Sequence, residues 1–352
     1  MRENTGRRSV TFTGATAIAT LMLGLVVTTN PADARTDTPA SPDASARTEV
    51  SAQRAPAARA GSRVSARWSG AVHTASKERV NAAYRSAYAP KLSLPISWLG
   101  GSLLSCLPGL TGSGSNNATR SALNFVRSMA GLAPVRFSSK LNASAQRAAL
   151  IMAANGALDH HPGKSWKCWT STGAISAGRS NLALSYPSIQ SGQIIDMYMD
   201  DHGDTNKAVG HRRWILNPFS TVMGSGSTRT ANALTVIGPT SASQPNPRWV
   251  GWPTAGYFPN TIEPGGRWSL SSGLKSISFG RAKVAVFKGS KKIAVHKFPV
   301  ENGYGQPTIA WQMPGSFDTT ASYRVVVTGI HKAGRKAPLR RSYTVRLFTP
   351  AP

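Results

Sequence analysis

The spacing of apolar residues changes along this chain of 352 residues, and that change restricts the fold classes it can adopt. As far as about Leu216, apolar residues recur every three or four positions, which is typical of amphipathic helices. After Pro245 they alternate with polar residues, as in strands with one buried face. The sequence therefore predicts an α+β protein, with a helix-rich domain over 115–240 and an antiparallel β-sandwich over 245–352.

Helix boundaries in the first domain are indicated by residues that typically begin or end helices. Asn117 is a suitable N-cap for the first helix, and Gly131 is a suitable stop. Glycines then edge two short apolar runs that suit strands. We expect helices over 117–131, 138–156, 191–200 and 208–216, and strands over 223–226 and 234–237.

The N-terminus has the pattern of an export signal. Three arginines within the first eight residues precede an uncharged run over 9–30, and Ala32-Asp33-Ala34 has the shape that signal peptidases accept. The pattern predicts a signal peptide over 1–34 and a secreted, extracellular mature protein, at the cell wall or free, with no transmembrane span. The alternative is that the apolar run stays as an anchor, since about 20 such residues can span a bilayer.

Two segments without a domain pattern separate this signal from the helices. Residues 35–75 are mostly alanine, serine, proline, threonine and arginine, a composition that cannot bury enough apolar surface to fold, so we interpret them as a disordered basic linker. Residues 76–114 carry a short amphipathic stretch followed by Trp98, Leu103 and Leu104. They are interpreted as a lead-in segment that packs on the next domain.

The charge of the chain favours anionic partners. Lysine and arginine total 41 against 14 acidic residues, a formal net charge of +27. For an exported protein the nearest polyanions are cell-envelope polymers and lipid head groups, whereas nucleic acid is not expected in that compartment. The alternative is that the charge is scattered and only keeps the protein soluble.

Cys106 and Cys168 are the two cysteines of the chain. An even count in an exported protein usually means a bridge, so a Cys106–Cys168 disulfide is expected. Two free buried thiols are the alternative.

Histidines are few but clustered: His160, His161, His202 and His211 lie within about 50 residues of one another, among several aspartates. Imidazole and carboxylate groups bind zinc and also exchange protons near neutral pH. The spacing matches no self-sufficient metal motif such as HExxH, and a histidine at a helix end is often structural. Both interpretations stay open on spacing alone.

The densest motif, Gly210-His211-Arg212-Arg213-Trp214-Ile215-Leu216-Asn217-Pro218, resembles the bacterial form of the CAP superfamily, the cysteine-rich secretory, antigen 5 and pathogenesis-related proteins. In that family a Gly-His-Arg run supplies the second histidine of a cleft, which His211 matches. Residues 123–127 and 131–135 resemble the opening helix and its turn. The resemblance implies a three-layer α-β-α sandwich in the SCP-like domain, followed here by the C-terminal β-sandwich.

The resemblance also implies the other cleft residues. Leu158-Asp159-His160 matches the place of the first cleft histidine, with His161 as the alternative. Where the family usually has Gly-Glu-Asn-Leu-Ala, this chain has Ser180 in place of the glutamate. A second family glutamate is best matched by Asp200. The implied cleft is therefore His160, His211, Asp200 and Ser180, with His160 and His211 as the metal-ligand candidates.

This pattern favours a non-enzymatic, envelope-associated binding protein whose two-histidine cleft could hold a divalent cation such as zinc. No residue is assigned as catalytic, because Ser180 lacks the G-x-S-x-G context of a nucleophile and is more simply a turn residue. A metal-assisted extracellular hydrolase or peptidase is the first alternative. Lipid or sterol binding is the second.

Overall fold

The structure is a computed structural model that describes residues 67–201 and 203–351. The expected signal peptide over 1–34, the linker as far as residue 66, and His202 lie outside the described residues. Among the described helices, each is too short or too polar to cross a membrane.

The α-helices of the described chain lie in its first two thirds. A short π-helix, Tyr84–Tyr88, joins the first two, and single 3-10 turns occur at Asp204–Asn206 and Asn260–Ile262. In the part of the chain that the structure describes, the α-helices are α1 (Lys77–Ala83), α2 (Ala89–Leu92), α3 (Ser113–Met129), α4 (Ser139–Asn155), α5 (Ser171–Ala177), α6 (Gln193–Asp200) and α7 (Gly210–Ile215).

The expected caps account for α4. The expected N-cap of the first helix, Asn117, is wrong, because α3 already begins at Ser113, with Gly112 as an N-cap that makes no side-chain hydrogen bond. Ser138 Oγ accepts a hydrogen bond from the backbone N–H of Leu141 at the start of α4, and Gly156 ends that helix in the left-handed conformation, with φ 59°. The helix α5 was not expected, because its sequence has no apolar period. Thr170 begins it by accepting from Gly173 N.

The strands fall into two groups along the chain. Six precede residue 240: β1 (Trp98–Leu99), β2 (Leu110–Thr111), β3 (Arg136–Phe137), β4 (Ser180–Leu184), β5 (Val222–Ser227) and β6 (Ala231–Thr235). The others are β7 (Trp249–Trp252), β8 (Gly256–Pro259), β9 (Arg267–Ser272), β10 (Ile277–Ser278), β11 (Lys283–Lys288), β12 (Lys291–Ile293), β13 (His296–Lys297), β14 (Thr308–Gln312), β15 (Ser322–Lys332) and β16 (Leu339–Phe348).

The first domain is a three-layer α-β-α sandwich, as expected. Its sheet has the order β3-β5-β6-β4, with α4 and α5 on one face and α3 and α6 on the other. Small residues let α4 approach the sheet: a Cβ added at Gly226 would lie 2.1 Å from Gln146 N. Alanines of α4, including Ala145 and Ala149, fill the space between the layers. This packing fixes the loops at the helix ends, which carry the candidate site.

The C-terminal part contains two sheets, ordered β12-β11-β15-β16-β8, with β10 attached to β15, and β13-β14-β9-β7. Most pairs are antiparallel, and β16 with β8 is parallel. Aromatic rings join the sheets, with the ring centroids of Trp268 and Tyr323 lying 5.7 Å apart and edge-on. The expected α+β class with C-terminal sheets is thus confirmed.

Residues 67–75, at the end of the linker range, and α1 of the lead-in segment together contact both domains. Tyr257 N in β8 donates to Thr74 O over 2.7 Å, Trp68 N donates to Gly131 O over 3.0 Å, and α1 packs on β8. One continuous core contains Phe125 of α3 together with Trp252 of β7. The helical and sheet parts therefore share buried apolar surface.

The expected disulfide is confirmed. Cys106 and Cys168 are bonded, with their Cα atoms 5.0 Å apart, and no free cysteine occurs in the described chain. The bond joins the lead-in segment to the loop before α5.

Candidate functional site

The cleft histidines are carried by loops and helix ends around the three-layer sandwich. His160 lies in the loop between α4 and α5, and His211 lies in the first turn of α7. Burial is the main cause that lowers the pKa of His160, and the charge of His211 lowers it further. An electrostatic influence thus acts between two residues that are 51 positions apart in the sequence.

One ring nitrogen of His160 contacts the backbone. Its Nδ1 lies 3.0 Å from the carbonyl oxygen of Ala177, and because a carbonyl only accepts, Nδ1 carries the hydrogen. In the neutral ring the lone pair is then on Nε2. Although the residue as a whole is exposed, its ring is largely surrounded by protein. This burial lowers the pKa of His160, and the hydrogen bond to Ala177 only partly raises it again. The neutral form, which can bind a metal, is thus favoured.

His211 is held on three sides. Its Nδ1 donates to Asp201 Oδ1 over 2.7 Å, its ring stacks on Tyr198 with centroids 5.5 Å apart, and its backbone oxygen accepts from Asn181 Nδ2 over 3.1 Å. A carboxylate on Nδ1 fixes the ring and leaves Nε2 to accept a proton or bind a cation. Both histidines thus have the same tautomer.

Asp201 is a site residue that sequence reasoning missed. It ends α6 in the left-handed conformation, with φ 52°, which aspartate tolerates better than most residues. Its side chain is fully buried, and while one oxygen contacts His211 the other accepts from Arg212 N over 3.0 Å. An acidic residue directly after a helix and before Gly203 was the available signal, but sequence alone does not separate Asp201 from Asp200.

Asp200, the residue expected by resemblance, is the last residue of α6. Burial raises the pKa of its carboxyl, and the charge of Asp196 one turn earlier raises it further, against the charge of Arg212. Asp196 itself accepts from the hydroxyl of Tyr88 over 3.0 Å. Asp200 thus pairs electrostatically with Asp196, whereas Asp201 contacts His211.

Ser180 is buried at the start of β4. Its Oγ donates to Ser176 O over 2.7 Å and lies 3.0 Å from Thr235 Oγ1. Among the described residues, its hydroxyl contacts neither cleft histidine. These bonds favour the structural interpretation of Ser180 over a nucleophile.

The two arginines after His211 connect the domains. Arg212 donates to Met199 O over 2.7 Å and to Arg267 O in β9 over 2.7 Å, and Arg213 donates to Gln306 O over 2.7 Å. Burial lowers the pKa of Arg212 to about 10, opposed by the nearby aspartates, so it stays charged at neutral pH. Arg267 in turn donates from Nη1 to the backbone oxygen of Asp201 over 2.5 Å.

The residue before α7 has an unusual backbone. Val209 adopts φ 48°, a conformation that costs energy for a β-branched residue. It is fully buried against Phe298 and Ala310 of the C-terminal sheets. Packing from the second domain thus holds the strained turn that places His211.

The chemistry available in the cleft is that of two imidazoles. Within residues 67–201 and 203–351, no group of three or more histidine, cysteine, aspartate and glutamate side chains could hold a metal. A cation bound to His160 and His211 would therefore need water or a ligand to complete its coordination. His161 is exposed, and its backbone N donates to Asp159 Oδ1 over 2.7 Å.

One family model matches the segment of the chain that carries these residues. The model of the cysteine-rich secretory protein family, CAP, matches residues 120–237. The match runs from within α3 to just beyond β6 and includes both cleft histidines and Asp201. None of the curated proteins compared with the chain matches it.

Proposed function

Residues 120–237 form a CAP domain, and on that premise we propose that the protein is an exported, envelope-associated binding protein whose cleft takes a divalent cation. The ligands are Nε2 of His160 and Nε2 of His211. Water or the bound partner completes the coordination.

The observation that carries this proposal is the shared tautomer of the two rings. Each Nδ1 is occupied by an oxygen acceptor, Ala177 O for His160 and Asp201 Oδ1 for His211. Neutral imidazole with a free Nε2 is a preferred zinc ligand, and a carboxylate on the other nitrogen strengthens it. With only two protein ligands, the affinity is expected to be modest and the site open to exchange.

Export and envelope association are supported by independent features. The Cys106–Cys168 disulfide suits an oxidising compartment, and the net charge of +27 attracts anionic polymers and lipid head groups. That attraction should weaken with salt, because the Debye length falls to about 8 Å at physiological ionic strength.

Zinc titration by calorimetry tests the cleft. The wild type should bind, and the His160→Ala, His211→Ala double variant should lose at least about tenfold in affinity. His331→Ala, an exposed histidine of β15, is the matched control and should bind as the wild type does. The proposal fails if the double variant binds zinc as tightly as the control.

A metal-assisted extracellular hydrolase is the second candidate, and the Asp201–His211 pair favours it. An imidazole oriented by a carboxylate at 2.7 Å can act as a general base on a bound water. A protein that hydrolyses extracellular peptide or cell-wall material should then lose activity with His211→Ala at every pH. If neither the wild type nor the variant shows any turnover, the hydrolase candidate is excluded and binding is the function that remains.

A further inference from the structure

Large apolar side chains are exposed in one segment of the lead-in. Five of the nine exposed large hydrophobic residues of the described chain lie within 94–110, here called the leucine loop. They are Leu94, Leu99, Leu104, Leu107 and Leu110, exposed by 41%, 52%, 87%, 53% and 56%. Single exposed leucines are ordinary, but a group on one short segment marks a contact surface.

The backbone of this loop is fixed. Ser102 and Leu107 exchange backbone hydrogen bonds of 2.9 and 3.0 Å, β1 pairs with β2, and Cys106 is bonded to Cys168. Trp98 Nε1 also donates to Pro108 O over 2.9 Å. Backbone bonds and the disulfide thus hold the loop, so its leucine side chains are presented outward without being needed for the local fold.

The loop is separate from the site already described. It precedes the family match at 120–237, and none of its residues takes part in the hydrogen bonds of His160, His211 or Asp201. The CAP cleft therefore does not account for it.

The sequence on either side of the loop is basic, and at least one exposed lysine lies close to it. Between residues 79 and 195 the chain has eleven lysines and arginines and one acidic residue, Asp159. Lys167 precedes Cys168, whose Cα is 5.0 Å from that of Cys106, so consecutive Cα spacing places Lys167 within about 9 Å of the loop backbone. Lys164 and Lys167 are both exposed. An apolar tip beside cations matches a surface with an apolar interior and anionic head groups.

We propose that the leucine loop docks the protein on an anionic lipid membrane. Leu104 and Leu107 enter the interface, and Lys164 and Lys167 lie among the head groups. The proposal rests on the envelope association argued above, and it does not depend on a cation in the cleft.

Co-sedimentation with vesicles tests the apolar contact. The full mature chain should bind vesicles of phosphatidylglycerol and phosphatidylcholine more tightly than vesicles of phosphatidylcholine alone. Leu104→Ser with Leu107→Ser should lower that binding at least about tenfold, since two apolar side chains no longer leave water. Ile237→Ser, which changes an exposed apolar residue at 38% exposure outside the loop, should have no effect.

A second pair of variants tests the charge. Lys164→Glu with Lys167→Glu should lower binding to the anionic vesicles. Lys291→Glu with Lys292→Glu makes the same charge change on exposed lysines of β12 and should lower it much less. An equal loss in both pairs would show general attraction to net charge and would overturn the assignment to this loop.

Two further outcomes overturn the proposal. One is wild-type binding to anionic vesicles that the leucine variant retains in full. The other is self-association of the wild type that the leucine variant abolishes, which would make a second copy the occupant. Zinc titration of the leucine variant should give the same affinity as the wild type. The two proposals can therefore fail separately: a negative vesicle result does not contradict cation binding, and a negative zinc result does not contradict membrane docking.

Discussion

The imidazole of His211 donates to Asp201 over 2.7 Å, and the second oxygen of that carboxylate accepts from the backbone of Arg212, the next residue along the chain. One buried side chain thus orients both the ring and the helix turn that carries it. In the proposed cation site the carboxylate would act through His211.

Replacing Asp201 should weaken zinc binding at the proposed site. In Asp201→Asn the negative charge is lost, and an amide nitrogen would face either the N–H of His211 or that of Arg212. We expect zinc affinity to fall by about tenfold to a hundredfold. Asp200→Asn should change it much less. Calorimetry on both variants decides which aspartate serves the cleft, and a larger loss in Asp200→Asn would contradict the assignment.

Restoring the family glutamate at Ser180 should destabilise the protein. The Ser180 side chain is buried and hydrogen-bonded to Ser176 and lies against Thr235, so a longer charged side chain would overpack the sheet and lose water. We expect Ser180→Glu to lower the free energy of unfolding by about 2–4 kcal/mol, against about 1 kcal/mol for Ser180→Ala. Urea unfolding measures both. A stable Ser180→Glu with tighter zinc binding would show that the cleft can accept the carboxylate.

Removing the disulfide should cost stability. The bond closes a loop across a sequence separation of 62, for which the chain-entropy model gives about 4 kcal/mol. We expect Cys106→Ser with Cys168→Ser to unfold at a lower urea concentration than the oxidised wild type. Reduced wild type is the control and should behave like the double variant. Equal midpoints for oxidised and reduced protein would contradict the prediction.

The acidic pair on α6 should make stability depend on pH. Burial raises the pKa of Asp196, and it raises that of Asp200 to about 8. A carboxyl with a raised folded pKa stabilises the fold while protonated: the contribution is complete below the unfolded pKa of about 3.9 and is lost as pH rises through the folded pKa. Stability should therefore fall between about pH 4 and pH 8.

Asp200→Asn should remove much of that fall, because the amide stays neutral. It should stabilise the protein at the upper end of this range and not at the lower end, as measured by urea unfolding. Asp204→Asn, at an exposed aspartate beyond the same helix, is the control. A variant with the same pH slope as the wild type would show that Asp200 does not carry the effect.

Local sequence signals predicted those parts of the fold that depend on neighbouring residues. Apolar spacing and the caps at Ser138 and Gly156 located the long helices, and the cysteine count indicated the disulfide. The resemblance led to His160 and His211. Their separation of 51 positions means that spacing alone could not have paired them.

What the sequence did not reveal depends on three-dimensional packing. Asp201 differs from Asp200 only in lying at the left-handed end of α6, where its side chain turns toward His211. From composition alone, Arg212 and Arg213 would be expected at the surface. In the structure both side chains are buried and donate hydrogen bonds to backbone oxygens. Apolar residues are expected inside, so the exposure of Leu104 is also invisible without the fold.

The contact of Arg267 with the backbone of Asp201 limits how far the CAP segment can be treated as a transplantable part. Cutting the chain after residue 240 would keep His160, His211 and Asp201. It would remove Arg267, whose side chain donates to the backbone oxygen of Asp201. Val209 would lose its cover of Phe298 and Ala310 at the same time. Ligand screens on the excised segment would thus test a cleft that is less rigidly held than the one in the whole chain. Transferring this cleft to another CAP scaffold would also require a residue that replaces the contact of Arg267 with the Asp201 backbone.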